Sequence, residues 1–175
     1  MTSFLTESLS IKWPTDLVKF PVVDFSHQHI TLTEDIDINT PRVMHPQDFP
    51  VSGESGKYLS LVLWLNNNEI NDTSIVVEMA TIILERPTLL MWIDLSNNQI
   101  SEIDDVLQEF TNLNILYLHS NNISDINGID KLANIPSLRT LTLHDNPIDS
   151  IPNYRTTILN LLPQIASLDL QVHEY

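Results

Sequence analysis

One spacing dominates the chain from Ser60 onward: L-x-x-L-x-L-x-x-N-x-L. Its copies are Ser60, Leu63, Leu65, Asn68, Ile70; Leu90, Ile93, Leu95, Asn98, Ile100; Leu113, Leu116, Leu118, Asn121, Ile123; and Leu138, Leu141, Leu143, Asn146, Ile148. Ile165, Leu168 and Leu170 make a last, incomplete copy. A leucine-x-leucine unit is a short strand whose two leucines face the same way. One such turn cannot bury its leucines alone, so successive turns stack into a parallel sheet with a continuous core. The asparagine sits where the chain bends away from the strand. Its amide both donates and accepts, so it can satisfy backbone groups that the bend leaves unpaired. Asn68, Asn98, Asn121 and Asn146 are therefore expected to form a buried ladder.

The first slots lie 30, 23, 25 and 27 residues apart, and the long first interval leaves room for a true helix. Ser74–Glu85 fits, with Asp72 and Thr73 as caps and Pro87 as a stop. Shorter helical turns are expected over 103–110 and 129–133. A last helix over 154–162 should lead through Pro163 into the incomplete strand and close the open end. Residues 1–57 lack the repeat. Pro14, Pro21, Pro41, Pro46 and Pro50 favour extended backbone there. This segment reads as an extended arm that covers the first turn through Trp13, Phe20 or Phe25. The organisation is thus an arm or cap over 1–57 and a repeat domain over 58–175, with four repeats and a C-terminal cap.

The repeats resemble the leucine-rich-repeat class with 22–23-residue turns. More closely, the chain resembles the leucine-rich-repeat-containing protein 51 family. The likeness rests on Leu63-Trp64-Leu65-Asn66-Asn67-Asn68, Trp92-Ile93-Asp94-Leu95-Ser96, Leu116-Tyr117-Leu118-His119 and Leu141-Thr142-Leu143-His144-Asp145-Asn146-Pro147. Tyr154-Arg155 at the last helix, and Asp24-Phe25-Ser26 and Thr40-Pro41-Arg42 in the arm, extend it. The fold expected is α/β: a leucine-rich-repeat solenoid with parallel strands on the concave face and helices and turns on the convex face. The resemblance implies a cytoplasmic, non-enzymatic component of the ciliary or flagellar axoneme with axonemal protein partners. Regulation of a soluble enzyme, such as a phosphatase, is the alternative within binding proteins.

Composition narrows the function classes. The chain has no cysteine, which removes disulfides, thiolate zinc sites and cysteine nucleophiles. Its net charge of −15 opposes nucleic-acid or anionic-membrane binding and favours a partner with a basic face. The first residues do not read as a secretory signal, and the apolar run Leu59–Leu65 is too short to span a bilayer. Gly53-Glu54-Ser55-Gly56-Lys57 is an incomplete phosphate loop, with Val51 in place of the first glycine and Tyr58 after the lysine. His27 and His29 would point to one side of an extended segment, but no further ligands accompany them. Cofactor, metal and small-molecule substrate are therefore not expected.

The residues that alternate with the core leucines mark the binding surface. Trp64, Asp94, Tyr117, Thr142 and Asp169 occupy the slot between the leucines, and Val62, Trp92, Ile115 and Thr140 the slot before it. Trp64, Trp92 and Tyr117 thus fall on adjacent strands as aromatic anchors, as interfaces favour. His119 and His144, about 5 Å apart across the sheet, and Asp145 are expected at the polar rim. A hydrolytic use of these histidines with Ser120 would need a water-excluding pocket and an oxyanion hole. The acids that follow the turn asparagines (among them Glu69, Asp72, Glu102, Asp104, Asp125 and Asp149) should gather along one edge. There they serve as helix caps or as a second contact surface.

Overall fold

A computed structural model describes residues 21–38, 40–42 and 51–172. Its spine is a seven-stranded sheet with strands in chain order. The strands are β1 (Val23–Asp24), β2 (Val62–Trp64), β3 (Trp92–Asp94), β4 (Ile115–Tyr117), β5 (Thr140–Thr142), β6 (Ser167–Leu168) and β7 (Gln171–Val172). The first six run parallel; β7 folds back antiparallel on β6. Leu63, Ile93, Leu116 and Leu141 stand opposite one another in register and are fully buried. Leu65, Leu95, Leu118 and Leu143 form the second buried row.

Asparagine ties each turn to the one before. Asn98 Nδ2 donates to the carbonyls of Leu65 and Leu95, both at 3.0 Å, while Asn98 Oδ1 accepts from Ile70 N at 3.1 Å. Asn121 repeats this on Leu95, Leu118 and Ile100, and Asn146 on Leu118, Leu143 and Ile123. Asn68 donates to Phe25 and Leu65 and accepts from Gln28 N and Ile30 N. All four asparagines are buried. The residue before each has a left-handed backbone: Asn67, Asn97, Ser120 and Asp145 lie at φ between 53° and 58°. Asn and Asp tolerate that conformation better than most residues.

The sheet also reaches across residues 57 and 58. Val23 pairs with Leu63 and Asp24 with Trp64, so β1 is the first strand of the same sheet. Val23, Phe25 and Ile30 are fully buried and take the slots of Leu63, Leu65 and Ile70. His27 takes the left-handed slot at φ 56°, and Gln28 stands in for the asparagine. The Gln28 amide donates to the Thr40 carbonyl at 2.7 Å. Phe25 therefore covers the first full repeat, as a member of the core. Trp13 and Phe20 lie outside the described residues.

On the convex side, α1 (Ser74–Ile83) buries Val76, Met79, Ala80 and Ile83. The next two intervals hold only 3-10 turns, over Asp105–Glu109, Ile126–Gly128 and Asp130–Asn134, and the last holds one over Pro147–Ser150 ahead of a helix. Asp72 caps α1 as expected, accepting from Ser74 N at 2.7 Å. Thr73 does not: its buried hydroxyl accepts from Asp104 N at 2.7 Å and stitches two repeats together. At the far end α2 (Tyr154–Leu161) closes the core with Ile158. Arg155 donates to the carbonyls of Leu168 and Gln171, holding the β6–β7 hairpin.

Candidate protein-binding face

The side chains on the other face of the strands form a second, smaller apolar cluster. Val62 and Ile115 are buried in it; Trp64, Trp92, Tyr117, Leu61, Met91 and Val22 pack around them, half-buried. Trp92 lies between Val62 and Ile115 in the register, so it belongs to this face and not to the leucine core. The aromatic rings are continuous. Trp64 meets Trp92 edge-on at 5.7 Å between centroids, and Trp92 meets Tyr117 edge-on at 5.6 Å. Tyr117 contacts His119 at 6.0 Å, and His119 stacks on His144 at 4.6 Å, 14° from parallel. Five rings thus run obliquely across four repeats. Edge-on pairing is the favoured geometry for aromatic quadrupoles, so the row is rigid before any partner arrives.

Acidic groups border the row. Asp24 and Asp94 stand on either side of Trp64 in register. Each closes the same local turn: Asp24 Oδ1 accepts from Ser26 N at 2.8 Å, and Asp94 Oδ1 from Ser96 N at 2.9 Å and Ser96 Oγ at 2.6 Å. Burial pushes the Asp94 carboxyl above the usual carboxylate range. The Ser96 hydrogen bonds and nearby His119 oppose that shift, and the charge of Asp24 adds to it. Burial, with the charge of Asp94, raises the Tyr117 phenol to about 12.

Two of the residues expected on this surface have other work. Thr142 lies in the outward slot but is only 1% exposed. Its hydroxyl meets His119 Nδ1 at 2.9 Å and accepts from Leu118 N at 3.3 Å. It positions His119 and is not itself open to a partner. Asp169 ends the strand ladder: its carboxylate accepts from Leu143 N at 2.7 Å, where Leu65, Leu95 and Leu118 N donate to a carbonyl of the next strand, and also from His144 N at 2.9 Å and Tyr154 Oη at 3.0 Å. Burial and Asp169 raise the Tyr154 phenol well above its ordinary value. Asp145 is exposed at the rim, 2.8 Å from His144 Nδ1, as expected of a polar border.

The other candidate sites resolve into structural roles. Gly53–Lys57 forms a tight turn closed by Ser52 N on the Lys57 carbonyl, and Lys57 Nζ donates to the Thr81 carbonyl at 2.6 Å. His27 and His29 are both left-handed, not extended, and His29 pairs with Glu69 at 2.8 Å. Among the described residues no three His, Cys, Asp or Glu are grouped to hold a metal ion. Of the acids expected along one edge, Asp72, Glu102 and Asp104 line one open groove, together with Lys131. Several of the edge acids are engaged as caps: Asp72, Asp104 and Asp125 each accept a backbone N–H two residues on. Among the described residues no helix is long and apolar enough to cross a membrane.

Asp24 and Asn66 belong to this face and are not among the surface positions that strand alternation marks in the sequence. The signal for Asp24 is present: Val23-x-Phe25-x4-Ile30 has the spacing of Leu63-x-Leu65-x4-Ile70. A leucine-rich-repeat family model matches residues 65–174. Leucine-rich repeat-containing protein 51 of Macaca mulatta is 42% identical over 153 residues, covering 87% of this chain and 78% of that protein. The chain belongs to the leucine-rich repeat-containing protein 51 family. The Rattus norvegicus member is 40% identical over the same span. Among solved structures, the Drosophila melanogaster SNF/U2A' complex holds a chain matching at a TM-score of 0.65 and 21% identity. That match covers 90% of this chain and 76% of the other, and it supports the fold alone. The family's leucine-rich repeats make a protein-interaction module.

Proposed function

We propose that the concave aromatic row binds a protein partner, and that the chain is a non-enzymatic scaffold of the ciliary or flagellar axoneme. The observation that carries the binding reading is the row itself. Trp64, Trp92 and Tyr117 lie half-buried over Val62 and Ile115 on the solvent side of the sheet. Rigid aromatics over a small apolar floor suit an interface, because they bring large contact area at little cost in side-chain entropy. His119, His144 and Asp145 give it a polar border. The ciliary setting, and a cytoplasmic location with axonemal partners, rest on the resemblance to the leucine-rich repeat-containing protein 51 family. A tagged copy in a flagellated cell tests that setting. Concentration in the flagellum and resistance to detergent extraction are expected. A diffuse, extractable signal together with a co-purifying soluble phosphatase would replace the structural role with a regulatory one.

A further inference from the structure

Around Trp64 the concave face gathers acceptors. Asp24 and Asp94 occupy the register positions on either side of the indole. They are two strand spacings, or about 10 Å, apart along the backbone, and their charges act on each other. Asn66 lies two residues beyond Trp64, in the slot that His119 fills beside Tyr117. That slot reaches this face, because His119 contacts the Tyr117 ring. Asn66 Oδ1 is buried and has no hydrogen-bond partner. Each carboxylate uses its Oδ1 on a serine of its own turn.

No described salt bridge neutralises either carboxylate. Arg42 is engaged elsewhere, donating to the carbonyl and hydroxyl of Ser26 at 3.4 and 3.2 Å. Both carboxylates are half-buried, and the two share one aromatic platform, so a cation set between them is favoured. The indole itself attracts a cation through its quadrupole. Carboxylates on two sides, an orphan amide oxygen and an aromatic face call for one planar group with many N–H donors and a positive charge. A guanidinium meets that description: it carries five donors in a fixed fork and stacks on aromatic rings. An ammonium offers three donors and no plane.

Resting on the concave-face reading above, we propose that Trp64, Asp24, Asp94 and Asn66 form a subsite for an arginine side chain of the partner. The occupant is a protein segment with an arginine seated at Trp64 and apolar residues running on over Trp92 and Tyr117. The overall charge of −15 favours its approach.

The test uses the full chain labelled with nitrogen-15 and follows the indole N–H signals of Trp64 and Trp92. N-acetyl-arginine-methylamide should shift the Trp64 signal saturably. The uncharged isostere, N-acetyl-citrulline-methylamide, should bind at least tenfold more weakly. The D24N/D94N variant should lose the arginine response by a similar factor. Asn keeps the Oδ1 acceptor of both turns, so the rest of the spectrum should stay in place. An unmoved Trp64 signal, or equal binding by the citrulline or the lysine derivative to the unaltered chain, overturns the arginine subsite. N-acetyl-leucine-methylamide separates the two readings. If it shifts Trp92 while arginine leaves Trp64 unmoved, the subsite is overturned and the docking face stands. If neither ligand shifts either indole, both readings fall.

Discussion

His119 and His144 stack face to face across β4 and β5, 4.6 Å between ring centroids. Their outer contacts differ: His119 Nδ1 meets the Thr142 hydroxyl, and His144 Nδ1 the Asp145 carboxylate. Burial pushes the His119 pKa below its ordinary 6.5, and His144 adds to that, against Asp94, Asp145 and Asp169. A histidine depressed in the folded state is protonated first in the unfolded chain. Its contribution is fully present above about pH 6.5 and is lost as pH falls through the window below. Thermal melts should therefore show stability dropping from pH 7 toward 5.5. H119N should flatten that slope, and an unchanged slope would show that the pair does not carry it.

Asn121 bridges two repeats with one side chain. Replacing it by Ala strands the Leu95 and Leu118 carbonyls and the Ile100 N–H in the core. Urea unfolding should show a loss of about 1–3 kcal/mol. A value near zero would mean that the amide is not the tie between turns.

Phe25 tests whether the amino-terminal turn is part of the solenoid. It is fully buried, and its N–H donates to the Trp64 carbonyl at 2.8 Å. Phe25→Ala should cost about 3–5 kcal/mol, as for a core aromatic. A change under about 1 kcal/mol, the scale of an exposed surface site, would return this turn to the status of a loose arm.

The strands, the asparagine ladder and the terminal cap are legible from Leu63, Asn68 and their successors, because core slots tolerate little but aliphatic side chains and the bend demands an amide. The turn of β1 is hidden by its side chains: Gln28 stands in the asparagine slot and donates to Thr40, and Val23 and Phe25 stand in the leucine slots. The concave anchors are readable from strand alternation alone. The burial of Thr142 is not: it depends on where the His119 ring lies, and ring placement is a tertiary outcome.

Asp94 should separate stability from binding. Its pKa is raised by burial, so the fold disfavours its ionised form. D94N keeps the Ser96 contacts and removes the charge, so the free protein should melt at a higher temperature. A lower melting temperature would show that the ionised carboxylate is held by a partner group within the chain.

The aromatic row is the proposed interface. The direct measurement is quantitative capture of partners from detergent-extracted axonemes by the unaltered chain and by W64A/Y117A, with E102Q/D125N as a control on the acidic edge. The double aromatic variant should keep its melting curve cooperative and lose about 2–4 kcal/mol of binding, while the control binds as the unaltered chain does. Full-strength capture by a folded W64A/Y117A chain, with loss in E102Q/D125N, would contradict the account and move the interface to the groove beside Asp72 and Glu102.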